Sequence, residues 1–388
     1  MLRTGPLLGI ALGALLTGFV LSQVTGDSEA PGVVVELDRR VAAGLPFSVF
    51  VSASKPVTLE LTYGVETYKA VSQDFRVTLL AREGLHSVSV LVTDGLGNRA
   101  SVEETVLGVP APTLEIESPD RVAIGDPFVV NLAWTGPSGG AATVENVEVM
   151  INRIAVPTFI TSNSSGFALG SVPLDYAEEL VAVVSSLVDE FGRTIQIRRR
   201  VSVSTHRRSV VDLNLSAGLR ALLSQTNRDL EAAVLADAFS RGREERLWLA
   251  PFQNPLPGRI TSGFGVPRRY ATAGVATFHL GTDIAAETGA EIRAANAGEI
   301  AVAGFFPIKG GLVVIDHGGG LSSLYFHQSR ILVEEGERVD RGQVIGEVGS
   351  TGLATGPHLH WEMRLLGIPT NPIAWIGMAL PGPPVDDP

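Results

Sequence analysis

The sequence predicts a mainly β protein with two β-sandwiches, a helical linker and a C-terminal β-domain. Between Val33 and His206, short runs of alternating apolar and polar residues recur about every ten residues, a spacing typical of β-sandwiches. A helical period follows, and glycine-rich strand patterns return after residue 253. A length of 388 residues, with 43 Gly and 23 Pro, suits several turn-rich domains.

Changes in composition and in apolar period place the domain boundaries. The predicted segments are an N-terminal membrane anchor or signal segment (1–30), a first sandwich (31–110), a second sandwich (111–206), a helical linker (207–252), a C-terminal domain (253–380) and a proline-rich tail (381–388).

Composition and charge exclude several kinds of site and partner. The chain has no cysteine, which removes disulfide scaffolds, thiol nucleophiles and cysteine-based zinc sites. Its formal net charge is -11, so it lacks the general positive field that would hold a nucleic-acid backbone. We therefore expect no nucleic-acid partner.

The N-terminus has the pattern of a membrane-inserted segment. Arg3 precedes an apolar run at residues 5–21, and the acidic residues Asp27 and Glu29 follow it. A positive charge before such a run favours insertion with the N-terminus inward. We predict an uncleaved anchor in preference to a cleaved signal. In either case the rest of the chain is exported.

The two predicted sandwiches carry an internal repeat. Residues 40–49 are echoed at 121–130, and the turn at 94–98 is echoed at 189–193. These units resemble bacterial immunoglobulin-like (Ig-like) domains, in which a V-x-D-x-x-G-N turn precedes the last strand. The resemblance implies either a spacer, which we favour, or a module that binds a cell-envelope partner.

The linker contains one clear helix signal. Thr226 has the character of an N-cap with Asp229 three residues later, and Leu230, Val234 and Ala238 follow at i+4 spacing. This spacing predicts an amphipathic helix whose apolar face carries those three residues.

Five of the seven histidines lie between residues 279 and 360, and their spacing suggests a site. His279 and Asp283 are four residues apart in a glycine-containing loop. His358 and His360 lie in a predicted strand, where residues two apart point to the same face. His327 ends another predicted strand.

Two imidazoles and one carboxylate form the ligand set of a hydrolytic zinc site, whose fourth position is left for water. Zinc lowers the pKa of that water from near 15.7 to about 7. Two further imidazoles titrate in the range needed to move protons. We interpret His317, at a strand end before a glycine turn, as structural.

Residues 253–376 resemble the lysostaphin-type (LytM-like) zinc metallopeptidases. The resemblance rests on ITSGFG (260–265), HLGTD (279–283), AANAGEI (294–300), VIDHG (314–318), LYFH (324–327), VDRGQVIGEVG (339–349), TGPHLHWEM (355–363) and Asn371-Pro372. The motifs occur in the family's order and cover about a third of the chain.

The resemblance implies an antiparallel β-sheet core with a groove lined by loops. It implies that His279, Asp283 and His360 bind Zn²⁺, and that His327 and His358 act as general base and acid. The family cleaves peptide bonds in peptidoglycan, so the predicted substrate is a peptidoglycan stem or cross-link. The implied location is the cell envelope, either anchored in the cytoplasmic membrane or secreted after cleavage.

Two residues upstream of the first ligand are further candidates. Some members of the family use a tyrosine there to stabilise the oxyanion, and Tyr270 is the nearest one in this sequence. Arg268 follows the Phe-Gly motif and is a candidate for binding substrate or for solvating the loop. The alternative to an endopeptidase is a non-catalytic wall-bound adaptor, or an activator of cell-wall amidases. A third possibility within enzymes is a carboxypeptidase that trims D-Ala from uncross-linked stems.

Overall fold

The computed structural model describes residues 22–24, 30–136, 142–205, 209–248, 251–270 and 277–381. The predicted anchor at residues 5–21 lies outside this part of the chain, as does the predicted tail beyond residue 381. Within these ranges no helix combines the length and the apolar character needed to cross a membrane. The described chain is mainly β and ends in an antiparallel β-sheet domain, as predicted.

The chain divides into two compact units, one formed mainly by residues up to Pro112 and the other mainly by residues from Thr113 onward. The strands of the first unit are β1 (Ser22–Val24), β2 (Val33–Leu37), β3 (Arg40–Ala42), β4 (Pro46–Tyr63), β5 (Glu66–Leu80), β6 (Gly84–Asp94) and β7 (Arg99–Val109). They form one seven-stranded sheet of order β1-β2-β4-β6-β7-β3, with β5 also paired to β4.

The long strand β4 joins the two halves of this sheet. Its beginning pairs with β2 and its end with β6, and its register with β5 shifts between Ser52 and Val57. Apolar side chains from β2, β4, β6 and β7 meet in one core. The first unit therefore encloses its core with one continuous sheet, where the sequence suggested a two-sheet sandwich. Its Ig-like identity stays a prediction.

The second unit begins with two stacked sheets. Their strands are β8 (Thr113–Glu117), β9 (Arg121–Ala123), β10 (Pro127–Thr135), β11 (Val144–Ile151), β12 (Ile154–Val156), β13 (Thr158–Ser162), β14 (Ser165–Ser171), β15 (Leu180–Asp189) and β16 (Thr194–Ser204). One sheet has the order β13-β14-β10-β8 and the other β12-β11-β15-β16-β9. A shared apolar core contains Trp134 from the first and Val183 from the second.

The two copies of the sequence repeat adopt the same local structure. β3 pairs in parallel with β7, and β9 pairs in parallel with β16. In the turn of the first copy, the Asp94 carboxylate accepts hydrogen bonds from the backbone N–H groups two and four residues later, both at 2.9 Å. Asp189 does the same at 3.0 and 2.9 Å. Each aspartate thus fixes its turn through its own side chain.

The predicted linker contains β17 (Val211–Leu213), α1 (Ala217–Leu222) and α2 (Gln225–Ser240). The N-cap of α2 is Ser224, whose hydroxyl accepts a hydrogen bond from the Asn227 N–H, so the N-cap predicted at Thr226 is wrong by two residues.

The apolar face predicted for this helix is also wrong in part. The buried residues are Glu231, Leu235 and Ala238, whereas Leu230 is 50% exposed. Leu235 and Ala238 share a cluster with apolar residues of the C-terminal sheet, including Phe326. The face was misassigned because that sheet, and not the helix's own period, decides which side is covered.

The C-terminal domain has thirteen described strands and one short helix. They are β18 (Arg259–Ser262), β19 (Pro267–Tyr270), β20 (Thr277–Phe278), β21 (Thr282–Ala285), β22 (Glu291–Arg293), β23 (Gly298–Phe306), β24 (Gly310–Asp316), β25 (Leu321–Gln328), β26 (Arg330–Ile331), β27 (Arg338–Val339), β28 (Val344–Glu347), β29 (His358–Leu365), β30 (Ile368–Thr370) and α3 (Pro372–Trp375).

The main sheet of this domain is antiparallel, with the order β18-β21-β29-β25-β24-β23-β27 and β30 paired to β29. A smaller sheet has the order β22-β28-β26, and β17 from the linker pairs in parallel with β19. Trp248, Phe252 and Trp375 are fully or almost fully buried in the core between the sheets, and Phe167 of the second sandwich joins them. The second sandwich therefore packs directly on this domain.

Replacing Leu235 tests which face of α2 is covered. Leu235→Ala is expected to lower the free energy of unfolding by about 2–5 kcal/mol, because it removes buried apolar atoms and leaves a cavity. Leu230→Ala, on the exposed face, is expected to cost less than about 1 kcal/mol. Denaturant unfolding of the full chain measures both. Equal losses at the two positions would contradict the observed orientation.

Candidate metal centre

The period-two alternation of β29 builds one wall of the site. His358, His360, Glu362 and Arg364 share one face of the main sheet, and the alternate residues within 359–365 are buried in the core on the other face. The sequence prediction that His358 and His360 point the same way is confirmed by this register. Burial of the apolar face against the core fixes the polar face toward the groove.

The neighbouring strand brings the other ligand candidates to this wall. β21 pairs with β29 so that Asp283 lies opposite His360. His279 lies just before β21 and exchanges backbone hydrogen bonds with the loop after β18. Its N–H donates to Val266 O at 2.9 Å, and its carbonyl accepts from the Gly265 N–H at 2.7 Å. Residues 81 positions apart in the chain, His279 and His360, therefore meet.

Three atoms converge at the centre of the site. His279 Nε2 is 3.0 Å from Asp283 Oδ1 and 2.9 Å from His360 Nδ1, and His360 Nδ1 is 2.8 Å from Asp283 Oδ1. All three residues are buried. They are the three predicted ligands, and the fold places them where one ion would contact all of them.

Hydrogen bonds on the far side of each ring assign the nitrogen atoms. His279 Nδ1 donates to the backbone carbonyl of Gly263 at 2.9 Å, and His360 Nε2 donates to Glu362 Oε1 at 3.0 Å, because those oxygens can only accept. In the neutral rings, His279 Nε2 and His360 Nδ1 then carry lone pairs. Two lone pairs and a carboxylate oxygen face one another, which is an arrangement that a cation stabilises.

Proton affinities in the site follow from the same contacts. Although burial acts in the opposite direction, the close contacts of its carboxylate with His279 and His360 hold the pKa of Asp283 well below its usual range. Burial alone would lower the pKa of His360, but hydrogen bonds to Asp283 and Glu362 raise it to about 9. Burial lowers the pKa of His279. A metal would therefore displace a proton from His360 on binding.

Arg268 lies beside the predicted ligands. Its Nη2 donates to Asp283 Oδ2 at 2.5 Å and to Ser262 Oγ at 2.9 Å, which leaves Asp283 Oδ1 directed at the two imidazoles. The guanidinium is thus placed to orient a predicted ligand, and a role in substrate binding stays a prediction. Tyr270 ends β19, and its side chain lies outside the described part of the chain.

The two predicted proton-transfer residues lie next to the ligands. The rings of His327 and His358 are 4.8 Å apart, and His358 Nε2 is 3.8 Å from Asp283 Oδ1. Each Nδ1 donates to a backbone carbonyl at 2.8 Å, so each Nε2 carries the lone pair when the ring is neutral. Burial lowers the pKa of His327 to about 3, which keeps it neutral.

The backbone at His327 is strained. Its φ of +62° lies in the left-handed region, which is uncommon for a residue with a side chain. Its N–H donates to Lys309 O at 2.9 Å, and Thr351 O accepts from its ring. Such strain is typical of functional positions that the surrounding structure holds in place.

Sequence reasoning missed two residues that support the site. Glu362 is buried and holds His360 on one side and the Arg364 guanidinium on the other, at 2.7 Å. Although burial acts to raise it, Arg364 and His360 lower the pKa of Glu362 to about 2. The signal was present in the sequence, because Glu362 and Arg364 continue the alternation that begins at His358.

The other missed residue lies on α2, outside the motifs. Glu231 is 1% exposed, and its carboxylate accepts hydrogen bonds from the Ile308 N–H at 2.6 Å and from Lys309 Nζ at 2.8 Å. Because Lys309 also holds the backbone of His327, α2 supports the loop that positions a predicted catalytic residue. A single buried acid on a helix gives no sequence signal for this contact.

His317 lies apart from the three ligand candidates. It is fully buried, with Nδ1 donating to the Ala297 carbonyl and Nε2 hydrogen-bonded to Ser323 Oγ, both at 2.7 Å. Burial lowers its pKa to about 4. This environment agrees with the structural role expected from the sequence.

Comparison with known proteins supports the family resemblance predicted from the motifs. The profile described as Peptidase family M23 matches residues 277–372, which contain all the predicted ligands. The C-terminal domain is an M23 peptidase domain. Peptidases of family M23 depend on a metal, in agreement with the His-Asp-His cluster.

Two curated relatives add to this comparison. The peptidoglycan DD-endopeptidase ShyA of Vibrio cholerae is 30% identical over 240 residues, which is 58% of this chain and 52% of that protein. The DD-carboxypeptidase/endopeptidase Mpg of Neisseria meningitidis is 43% identical over 125 residues, which is 32% of this chain and 28% of that protein. The chain thus spans about half the length of the first relative and about a quarter of the second.

Among solved structures, the "putative peptidase M23" of Pseudomonas aeruginosa is 23% identical to this chain. It covers 66% of this chain and 96% of its own, with a TM-score of 0.48.

Neutralising Glu362 tests its support of His360. Glu362→Gln is expected to weaken the binding of a divalent metal ion by about ten- to a hundredfold, because a ligand imidazole that donates to a carboxylate is a better electron donor. Glu347→Gln, on β28 and part-exposed, is the matched control and is expected to leave the metal affinity unchanged. Competition with a chelator measures the affinity. Equal metal affinities for Glu362→Gln and wild type would show that Glu362 does not support metal binding by His360.

The burial of His317 predicts a specific pH dependence of stability. Its pKa of about 4 in the folded state lies below about 6.5 in the unfolded state, so the unfolded chain binds its proton first as the pH falls. The contribution is full above about pH 6.5 and decreases by roughly 3 kcal/mol toward pH 4. Denaturant unfolding should show a shallower fall in this window for His317→Gln. Parallel curves for the two proteins would contradict the prediction.

Proposed function

We propose that this protein is an exported zinc metalloendopeptidase that hydrolyses peptide bonds in peptidoglycan stems or cross-links. The observation that carries the proposal is the convergence of two imidazole lone pairs and one carboxylate oxygen in an M23 domain. The activities named for the relatives ShyA and Mpg support the choice of peptidoglycan as substrate.

His279, Asp283 and His360 would hold the zinc ion. When bound, zinc supplies Lewis acidity and lowers the pKa of water at the open position. Arg268 keeps the second oxygen of Asp283 occupied. The Phe326 ring lies 4.8 Å from the ring of His360 and restricts its rotation. These contacts keep the ligands in one geometry before substrate arrives.

His327 and His358 would move the protons. Their Nε2 atoms carry lone pairs, since each Nδ1 is committed to a carbonyl. One ring takes the proton of the attacking water at its free Nε2. The other ring must first be protonated at Nε2, from solvent or by the first ring, and then delivers that proton to the leaving amine, so that the hydroxide of the water goes to the carbonyl carbon and its proton to the amine. Which ring takes which step depends on the side from which the substrate enters.

The complete donor set favours an enzyme over a wall-bound adaptor. An adaptor that only binds peptide, or activates an amidase, has no need for converging imidazole and carboxylate groups. Export through residues 5–21, the spacer role of the upstream β-units and an envelope partner for them stay parts of this proposal that rest on the sequence alone.

Digestion of purified peptidoglycan tests the activity. The zinc-loaded full chain should convert cross-linked dimers to monomers, and a chelator or His279→Ala should abolish the conversion. The full chain is preferable to a fragment beginning at residue 253, because such a fragment lacks the buried Trp248 and the α2 contacts to Lys309. Fragment masses would also separate cross-link cleavage from trimming of a terminal residue.

His358 provides the sharper test of mechanism. His358→Ala should keep its zinc and lose about 10²- to 10⁴-fold in turnover, the usual contribution of a general acid or base. If His358→Ala cleaves at the wild-type rate, His358 does not transfer a proton in the reaction. A folded, zinc-loaded wild-type protein that releases nothing would contradict the peptidase and favour the adaptor.

A further inference from the structure

A second cavity lies beside the metal centre. Its volume is about 840 Å³, and that of the cavity containing the metal ligands is about 560 Å³. The two share wall residues, among them Leu213 of β17, Phe278, and Ile308 and Lys309 of the loop before β24. A substrate in the metal cavity can therefore extend into the second one.

The second cavity is positively charged in an acidic protein. Among the residues that the structure describes, its lining contains Arg220, Arg228, Lys309 and Arg364 and no acidic residue, although the whole chain has a net charge of -11. Clefts lined by charges of one sign concentrate ligands of the opposite sign. The cavity thus favours an anionic ligand.

Two of these cations are available to a ligand. Lys309 and Arg364 are paired with the buried acids Glu231 and Glu362. Arg228 donates to the Leu223 carbonyl through Nε, and neither Arg228 nor Arg220 has an acidic partner in the part of the chain that the structure describes. Both arginines are exposed, so their guanidinium groups can reach a ligand that enters from solvent.

The remaining walls are apolar. Leu223 follows α1, Leu235 and Phe239 lie on α2, and Leu213 and Phe278 face them across the cavity. Apolar walls with a few convergent cations suit a ligand that combines aliphatic groups with carboxylates. A peptide with small apolar side chains and free carboxylates has this chemistry.

We propose that this cavity, between α1, α2 and the metal cavity, binds the carboxylate-bearing part of the peptide substrate through Arg220 and Arg228. This inference rests on the proposed peptidase function, and it assigns a substrate-binding role to helices that lie outside the M23 match at residues 277–372. Continuity with the metal cavity favours the peptide being cleaved over an unrelated anion.

A paired-substrate experiment tests the cavity. The probes are a purified cross-linked peptidoglycan peptide dimer with free carboxylates and the same dimer with its carboxylates amidated. For the full-length Arg220→Gln/Arg228→Gln variant, KM for the free-carboxylate dimer should rise about tenfold and kcat should change little, because two exposed ion pairs are lost at a distance from the reacting atoms. The amidated dimer should show the same KM with variant and wild type.

Arg121→Gln/Arg200→Gln is the matched control. Both are exposed arginines of the second sandwich that line neither cavity, and the change in net charge is the same. This control should behave as wild type. The cavity proposal is overturned if KM is unchanged in Arg220→Gln/Arg228→Gln, or if KM rises equally in the control. In either case, the proposed function stands as long as the dimer is cleaved.

Direct binding separates the two proposals if the wild type cleaves nothing. Calorimetric titration of the free-carboxylate dimer into each protein requires no turnover. Binding that is about tenfold weaker in Arg220→Gln/Arg228→Gln than in the control supports the cavity even though the peptidase proposal has failed. Equal affinities overturn the cavity proposal as well.

Discussion

The pairing of β21 with β29 is the constraint on which the site depends. It sets Asp283 opposite His360, and with His279 it brings three acceptor atoms within 3.0 Å of one another. Without a cation or a proton between them these atoms repel. The folded site therefore binds a positive charge, either a proton on His360 or a metal ion. Burial of the apolar face of β29 stabilises this arrangement.

The folded C-terminal domain extends beyond the residues that match the family. The family match begins at residue 277, yet the sheet face beside the metal is completed by Leu235 and Ala238, and the loop carrying Lys309 is held by Glu231. Helix α2 is thus packed as part of the domain and not as a flexible connection. The same helix forms a wall of the cationic cavity, so one element serves both stability and the shape of the groove.

Sequence reasoning succeeded where the required information was local or carried by motifs. Strand alternation identified the shared face of His358 and His360, and the Asp94 turn and its echo predicted two similar hairpins. It failed at α2, where propensity favoured Thr226 and Leu230 but Ser224 caps the helix and Leu235 is buried. A weakly amphipathic helix takes its orientation from the surface that it covers, and that surface lies about 65 to 90 residues further along the chain.

The sequence by itself determined the β character, the identity of the metal-ligand candidates and their family, because residue types at fixed spacings carry that chemistry. Only the tertiary structure decided which nitrogen of each imidazole faces the centre, that Arg268 binds Asp283, and that Glu362 supports His360. It also placed Arg220 and Arg228 beside the groove. These facts depend on contacts between segments distant in the chain, and no local pattern encodes the distance between two side chains that meet only after the sheet has formed.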